Sequence, residues 1–184
     1  MSEKITTLRQ YAKMKKLPSI IRLGGIDSVT IEYYLKMVQE TPISNERSIE
    51  LRKGIYGVEH DDTSPAGKTY NQRHLDDQPL LVSPLVDFIE SFEFRFAELD
   101  VGAHIPSHLD SPYSYRTLTM LQGNHTLWSK GKVPIDMYPG DVYFINSAYK
   151  HSIYNTGDIV RIALLGKMKV NEHNTKLLRA RTKK

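Results

Sequence analysis

From residue 92 to residue 165 the chain is a succession of short alternating stretches cut apart by Gly, Pro and Asn, and no other feature restricts the fold as strongly. Phe92, Phe94 and Phe96 alternate with Glu93 and Arg95, after which Ala97, Leu99 and Val101 take the opposite phase, a slip that predicts a bulge near residue 96 or 97. Further strands are predicted at 116–121, 125–128, 141–145, 151–154 and 159–165. Strands this short and this evenly spaced bury one face each by packing as a sandwich or a barrel.

The first half reads differently. Ile5, Leu8, Ala12 and Met14 suggest a short amphipathic helix that stops at Leu17-Pro18, because the residue before a proline avoids the helical region. A second helix has Asp27 or Ser28 as its cap and Ile31, Tyr34, Leu35 and Val38 as its apolar face, and it ends at Thr41-Pro42. Ser83-Pro84 opens a third, with Leu85, Val86, Phe88, Ile89 and Phe92 on one side. These helices are expected to back one face of a sheet. Residues 54–79 between them are polar and rich in turn formers. A loop of that length either serves the site or is ordinary surface, and in the first case it covers the pocket, with His60 and His74 as substrate contacts. The expected organisation of the 184 residues is one domain: 1–92 as helical support layer and loop, 93–168 as β core, 169–184 as a basic tail.

Composition removes several function classes. With no Cys there is no disulfide, thiolate zinc site or cysteine nucleophile. No apolar run reaches membrane length and the N-terminus lacks the order of a signal peptide, so a soluble cytoplasmic protein is expected. The formal charge is +4, but Lys176, Arg179, Arg181, Lys183 and Lys184 stand together at the end, leaving the rest nearly neutral. A terminal basic run without interleaved aromatics argues against a nucleic-acid protein and for a solvated tail.

The chemistry concentrates in His108-Leu109-Asp110, followed by His151 and, ten residues later, Arg161. In a strand, residues two apart face the same side, so His108 and Asp110 reach one metal while Leu109 packs behind them. Two imidazoles and a carboxylate are the ligand set of non-haem Fe(II), with positions left open for substrate and O₂. His151 is the best candidate for the third ligand, because it stands directly before an alternating stretch. His104 is the alternative partner of His108, as in cupin metal sites, whereas His125 reads as a strand start.

Three segments carry a resemblance. Leu99-Asp-Val-Gly-Ala-His-Ile-Pro-Ser-His108-Leu-Asp110, then Arg116-Thr-Leu-Thr-Met-Leu-Gln-Gly-Asn124, then Pro139-Gly-Asp-Val-Tyr-Phe-Ile-Asn-Ser-Ala-Tyr-Lys-His151-Ser-Ile-Tyr-Asn-Thr-Gly-Asp-Ile-Val-Arg161-Ile-Ala-Leu-Leu follow a known order of motifs. The chain resembles the 2-oxoglutarate- and Fe(II)-dependent oxygenases, and among them the aspartyl/asparaginyl β-hydroxylase and free-proline hydroxylase branch, over roughly residues 93–168. The resemblance implies a mainly β protein with N-terminal helices, its core a double-stranded β-helix, the cupin-like jelly roll. It implies Fe(II) on His108, Asp110 and His151, with O₂ and 2-oxoglutarate as co-reactants. Arg161, between Val160 and Ile162, would take the far carboxylate of 2-oxoglutarate, and Arg116 would be a second arginine toward the cosubstrate.

The implied reaction is hydroxylation of an unactivated C–H bond of an amino acid, an amino-acid derivative or a peptidyl residue, with release of succinate and CO₂. Asp110 implies hydroxylation, since halogenating relatives carry Gly or Ala there; the β-hydroxylase branch often lacks this acid, which brings the triad closer to the proline-hydroxylase pattern. Leu118 departs from the many relatives that have His two residues after the Arg. Asn124, Gln122 and Trp128 fall on the family's substrate side. Two other readings stay open: a cupin-like metal enzyme without 2-oxoglutarate, which has no need of Arg161, and a noncatalytic domain that docks nucleic acid through its tail.

Overall fold

The structure is a computed structural model that describes residues 16–43, 45–48, 69–75, 91–108, 115–129, 134–147, 149–168 and 171–182; at 45–48, 69–71, 91–92, 106, 108 and 125–129 the backbone alone is described. In chain order the elements are β1 (Ile20–Gly25), α1 (Ser28–Glu40), β2 (Asn45–Ser48), β3 (Thr69–His74), β4 (Ser91–Leu99), β5 (His104–His108), β6 (Tyr115–Gln122), β7 (His125–Ser129), β8 (Ile135–Met137), β9 (Asp141–Ile145), β10 (His151–Tyr154), β11 (Arg161–Met168) and α2 (Glu172–Arg181). Seven strands form one sheet in the order β1-β9-β6-β11-β4-β3-β2, and four form a second in the order β5-β10-β7-β8.

Short connections lead from one sheet to the other at β4–β5, β6–β7, β8–β9 and β10–β11. Each strand of the smaller sheet therefore stands opposite its chain neighbour: β5 over β4, β10 over β11, β7 over β6, β8 over β9. This winding of antiparallel strands between two stacked sheets is the double-stranded β-helix, a jelly roll of cupin type.

Packing shows which face of each strand is inward. Leu118, Met120, Tyr143, Ile145 and Ala163 of the larger sheet meet Met137 of the smaller one, with Ile153 and Leu165 packed against them, so this cluster fills the space between the sheets. The outer face of the larger sheet is covered as well. Tyr34, Met37 and Val38 of α1 pack on Phe96, Leu121, Ile162 and Leu164. Leu178 of α2 joins Leu17, Ile21, Leu23, Tyr115, Val142 and Phe144. With both faces buried, the central strands lose the alternation of a half-exposed strand, and burying each large apolar side chain contributes about 2 kcal/mol.

The second predicted helix is α1. Asp27 caps it by accepting the Thr30 N–H at 2.8 Å, which holds its carboxyl below the usual carboxylate range. At the other end the Thr41 hydroxyl donates to the Met37 carbonyl at 2.7 Å before Pro42 stops the helix. The first predicted helix and residues 83–90 of the third lie outside the described residues, but Phe92, assigned to the third, belongs to β4, where it pairs with Lys167.

The predicted slip at 96 or 97 is not a bulge. Arg95 to Leu99 pair one-to-one with Leu165 to Arg161, and the apolar phase changes because Phe96 packs under α1 while Ala97 and Leu99 pair with inward-facing β11. The irregularity comes earlier, where Leu165 pairs with Arg95 but Lys167 with Phe92, and Glu93 there has φ 48°.

Two further expectations change. Residues 69–74 of the proposed loop form β3, hydrogen-bonded between β2 and β4, while 54–68 and 76–79 lie outside the described residues. Residues 172–181 of the basic tail form a helix packed on the body through one side, while Lys176, Arg179 and Arg181 stay exposed. Asn171 caps α2 by accepting the Asn174 N–H at 2.8 Å, Leu178 is fully buried, and Arg181 donates to the Leu23 carbonyl. Glu172 in its first turn and Arg179 and Arg181 in its last suit the helix dipole. Among the described residues no helix is long and apolar enough to cross a membrane.

Candidate active site

His151 and His108 are direct cross-strand partners, the first residue of β10 against the last of β5. Ile153 packs in the inter-sheet core, so His151, two residues earlier, shares its inward face, and only 5% of it is exposed. Position 108, directly opposite, shares that face. Asp110 lies outside the described residues.

The same pairing separates His104 from His108. Ile153 pairs with Ile105, which leaves one extra residue on β5 between 105 and 108, beside Pro106, whose lack of an N–H suits an irregular edge position. Strict alternation would place 104 and 108 on one face. The bulge instead puts His104 opposite Tyr154 on the outward face, with their rings edge-on at 5.8 Å.

The ring of His151 is oriented. Its Nδ1 lies 3.0 Å from the Tyr149 carbonyl oxygen. A carbonyl only accepts, so Nδ1 carries the proton, and when the ring is neutral its lone pair is on Nε2, the arrangement of metal-binding imidazoles. The supporting turn is itself pinned: Tyr149 donates its N–H to the Asn146 carbonyl at 3.1 Å, Asn146 donates from its backbone to Ser19 O at 2.8 Å, and its Nδ2 donates to Leu17 O at 3.3 Å.

Arg161 opens β11 in the phase of Ala163 and Leu165, hence inward, and at 1% exposure it heads the largest fully buried side chains among the described residues. It lies deep in the sandwich, since β10 runs from His151 for roughly 10 Å before the turn that leads to Arg161. Asn155 holds that turn. It is 1% exposed, and its Nδ2 donates to the carbonyls of Leu99, Asp100 and Ile159, each at 3.0 Å, while its Oδ1 accepts the Gly157 N–H at 3.1 Å. Asn155→Ala leaves these groups without their partner and is expected to cost about 2–4 kcal/mol. Calorimetry then reads a fall in Tm of roughly 5–15 °C; an unchanged Tm contradicts the role.

Gly123, in the β6–β7 turn, lies against the backbone of Arg161. Its φ is +72°, and a Cβ there would sit 3.1 Å from the Arg161 Cα and 3.2 Å from the Val160 carbonyl. Gly123→Ala is therefore expected to destabilise by more than about 1 kcal/mol and to displace Arg161; a variant with unaltered stability to urea sinks this.

Arg116 shares the inward phase of Leu118 and Met120 on β6, is half-buried, and pairs with Lys167 and Ile145, at the end of the sandwich where His151 lies. Asn124 is exposed in the turn against Gly157. Position 128 pairs with Ser152, the phase opposite to His151, and the Trp128 side chain is not described. His74 is exposed at the end of β3, beside Arg95, and His60 lies outside the described residues. Leu118 is buried in the inter-sheet core.

Arg95 was not singled out by its sequence context, where it is one charge in an aromatic stretch. It shares the inward phase of Ala97 and Leu99, pairs with Leu165 and His74, and its Nε is buried without a hydrogen-bond partner among the described residues. Lys167, on the same side, is ion-paired with Glu93. The inner face of the larger sheet thus carries Arg161 at depth and Arg95 and Arg116 nearer His151.

A jelly roll with a buried inward histidine paired in register with position 108 at one end and a buried inward arginine farther in is an architecture shared by a class of proteins, and comparison with known ones identifies it. The family model of the aspartyl/asparaginyl β-hydroxylases matches residues 70–170, more than half of the chain, which belongs to that family. Among solved structures the chain is similar to an oxidoreductase of the 2OG-Fe(II) oxygenase family from Burkholderia pseudomallei, with 13% identity over 92% of this chain and 93% of that one and a TM-score of 0.56. It is also similar to a Pseudomonas putida prolyl-4-hydroxylase, with 12% identity over 89% and 98% of the two chains and a TM-score of 0.51. These likenesses are of fold. No curated protein sequence matches the chain.

Proposed function

We propose that this protein is a 2-oxoglutarate-dependent non-haem iron hydroxylase, with His108, Asp110 and His151 as iron ligands and Arg161 and Arg116 as cosubstrate-binding residues. The observation that carries this reading is the oriented imidazole of His151: buried, inward, its Nδ1 proton held by the Tyr149 carbonyl, and directly opposite position 108. A neutral imidazole whose other nitrogen is held by a carbonyl fits a divalent metal. The family pattern adds Asp110 two residues after His108.

When bound, the iron with 2-oxoglutarate and O₂ supplies the oxidising power to hydroxylate a C–H bond, with succinate and CO₂ as co-products. The chain's own residues bind and orient. Arg161 presents a planar guanidinium in an apolar interior, where it pairs with a carboxylate bidentately and much more strongly than in water. Arg116, nearer the histidines, adds a second cation for the same molecule. The core of Leu118, Met120, Ile145 and Ile153 keeps the surroundings dry. The substrate class we propose is an amino acid, an amino-acid derivative or a peptidyl residue.

A cupin-type metal enzyme without the cosubstrate offers no use for a guanidinium buried this far into the sandwich, which favours the hydroxylase over it. Anaerobic titration of the apo-protein with Fe(II) and then 2-oxoglutarate tests the choice. The weak visible charge-transfer band of a bidentate chelate is expected; stoichiometric iron binding without that band points to the cupin alternative.

A further inference from the structure

We infer that Arg95 is a specificity residue that anchors a carboxylate of the primary substrate beside the candidate metal position, an inference that rests on the hydroxylase reading above. Three observations place it there. The strand β4 stands opposite β5, and Arg95 precedes the end of β4 by the same number of residues as His108 follows the start of β5. Because β5 carries one extra residue at its bulge, the two positions lie within about one residue of the same height across a gap of roughly 10 Å, a distance that a substrate carboxylate on an extended arginine would largely fill. Its neighbour Leu165 belongs to β11, the strand opposite β10 and His151.

The second observation is the side chain itself. Arg95 takes the inward phase, and its Nε is buried with no hydrogen-bond acceptor among the described residues. Buried donors are matched by an acceptor in the functional state, and for a guanidinium the best match is a carboxylate. The third is position relative to Arg161. The two arginines are separated by two inward positions along the paired strands, Leu165 to Arg161, or roughly 13 Å. One dicarboxylate held at Arg161 and at the metal position leaves Arg95 to a different molecule. A neutral or cationic substrate would strand that donor, whereas an anionic one satisfies it. Substrate selection then follows from the rule that a site built to pair a group rejects the analogue lacking it.

The test uses the full chain with Fe(II) and 2-oxoglutarate, and in parallel the zinc-loaded chain, which binds without turnover. The probes are the free L-amino acids, each beside its carboxamide, and end-blocked tripeptides containing Asp or Glu beside Asn or Gln. Substrate-stimulated succinate release is read for the iron form and ligand-induced thermal shift for the zinc form. One carboxylate source is expected to bind, its amide about 100-fold more weakly; response to free amino acids assigns the α-carboxylate, and response to the tripeptides an acidic side chain.

Arg95→Gln should remove the preference of acid over amide and raise KM for the acid about 100-fold, with the Fe(II) and 2-oxoglutarate titrations unchanged. Arg95→Lys, which keeps the charge, should retain part of the preference and stands in if Arg95→Gln does not fold. Equal binding of acids and amides by the native chain, binding by none of the carboxylates, or a preference that survives in Arg95→Gln overturns the inference. Loss of 2-oxoglutarate binding in Arg95→Gln also overturns it, by assigning Arg95 to the cosubstrate. If the native chain binds no 2-oxoglutarate, the hydroxylase reading fails instead, and the zinc-form preference still decides the role of Arg95.

Discussion

His151→Ala is expected to lower Fe(II) affinity about 100-fold or more and to abolish succinate formation. Outer partners of metal-binding histidines alone are worth about 10–100-fold, and this change removes the ligand itself. The physical argument is preorganisation. The Tyr149 carbonyl selects the tautomer, the Asn146 turn holds that carbonyl, and pairing with β5 and β7 holds the strand, so the imidazole loses little freedom on binding. Alanine also leaves the Tyr149 carbonyl without its donor, a cost of about 1–3 kcal/mol, so calorimetry must accompany the metal titration. A folded His151→Ala protein that binds one equivalent of Fe(II) with native affinity would remove the metal assignment.

Arg161→Ala is expected to leave Fe(II) binding intact and to raise KM for 2-oxoglutarate about 100-fold, because truncating one side of a buried charge pair costs about 2–5 kcal/mol. The separation of the two effects is the useful part. His151 and Arg161 sit on consecutive strands at different depths, so metal and far carboxylate should fail independently. Arg161→Lys keeps the charge but not the planar fork, and should recover only part of the affinity. Native KM in both variants contradicts the role of Arg161, and loss of iron binding in either shows that the side chain supports the fold rather than the cosubstrate.

Much of this architecture was legible because its signals are local. The cap at Asp27 and the stop at Pro42 delimit α1, and the stretches at β6, β7, β9, β10 and β11 have turn formers at their ends. β1, β2 and β8 were not, being short or lacking a run of alternating residues. Residues 69–74 have turn-like composition, yet they pair with β4 and form β3, since hydrogen bonding to an existing sheet edge outweighs weak strand propensity. The end of the chain reads as solvated charge because its helix buries few residues, among them Leu178.

By itself the sequence determined the elements with local signals and the chemical inventory: two histidines, an aspartate and an arginine in the order of the β-hydroxylase family, and no thiol. Tertiary structure alone decided which of these residues meet. Positions 104 and 108 are four residues apart and would share a face in any regular strand; a bulge, recognised only from pairing with β10, puts the two positions on opposite faces. Arg95 is one charge among phenylalanines until β11 and β3 pair with its strand and set its inward phase. The reason is the same in both cases. A strand's side chains alternate whatever the sequence, but which side becomes interior is set by partners far away in the chain, through register and through the layers that cover each face.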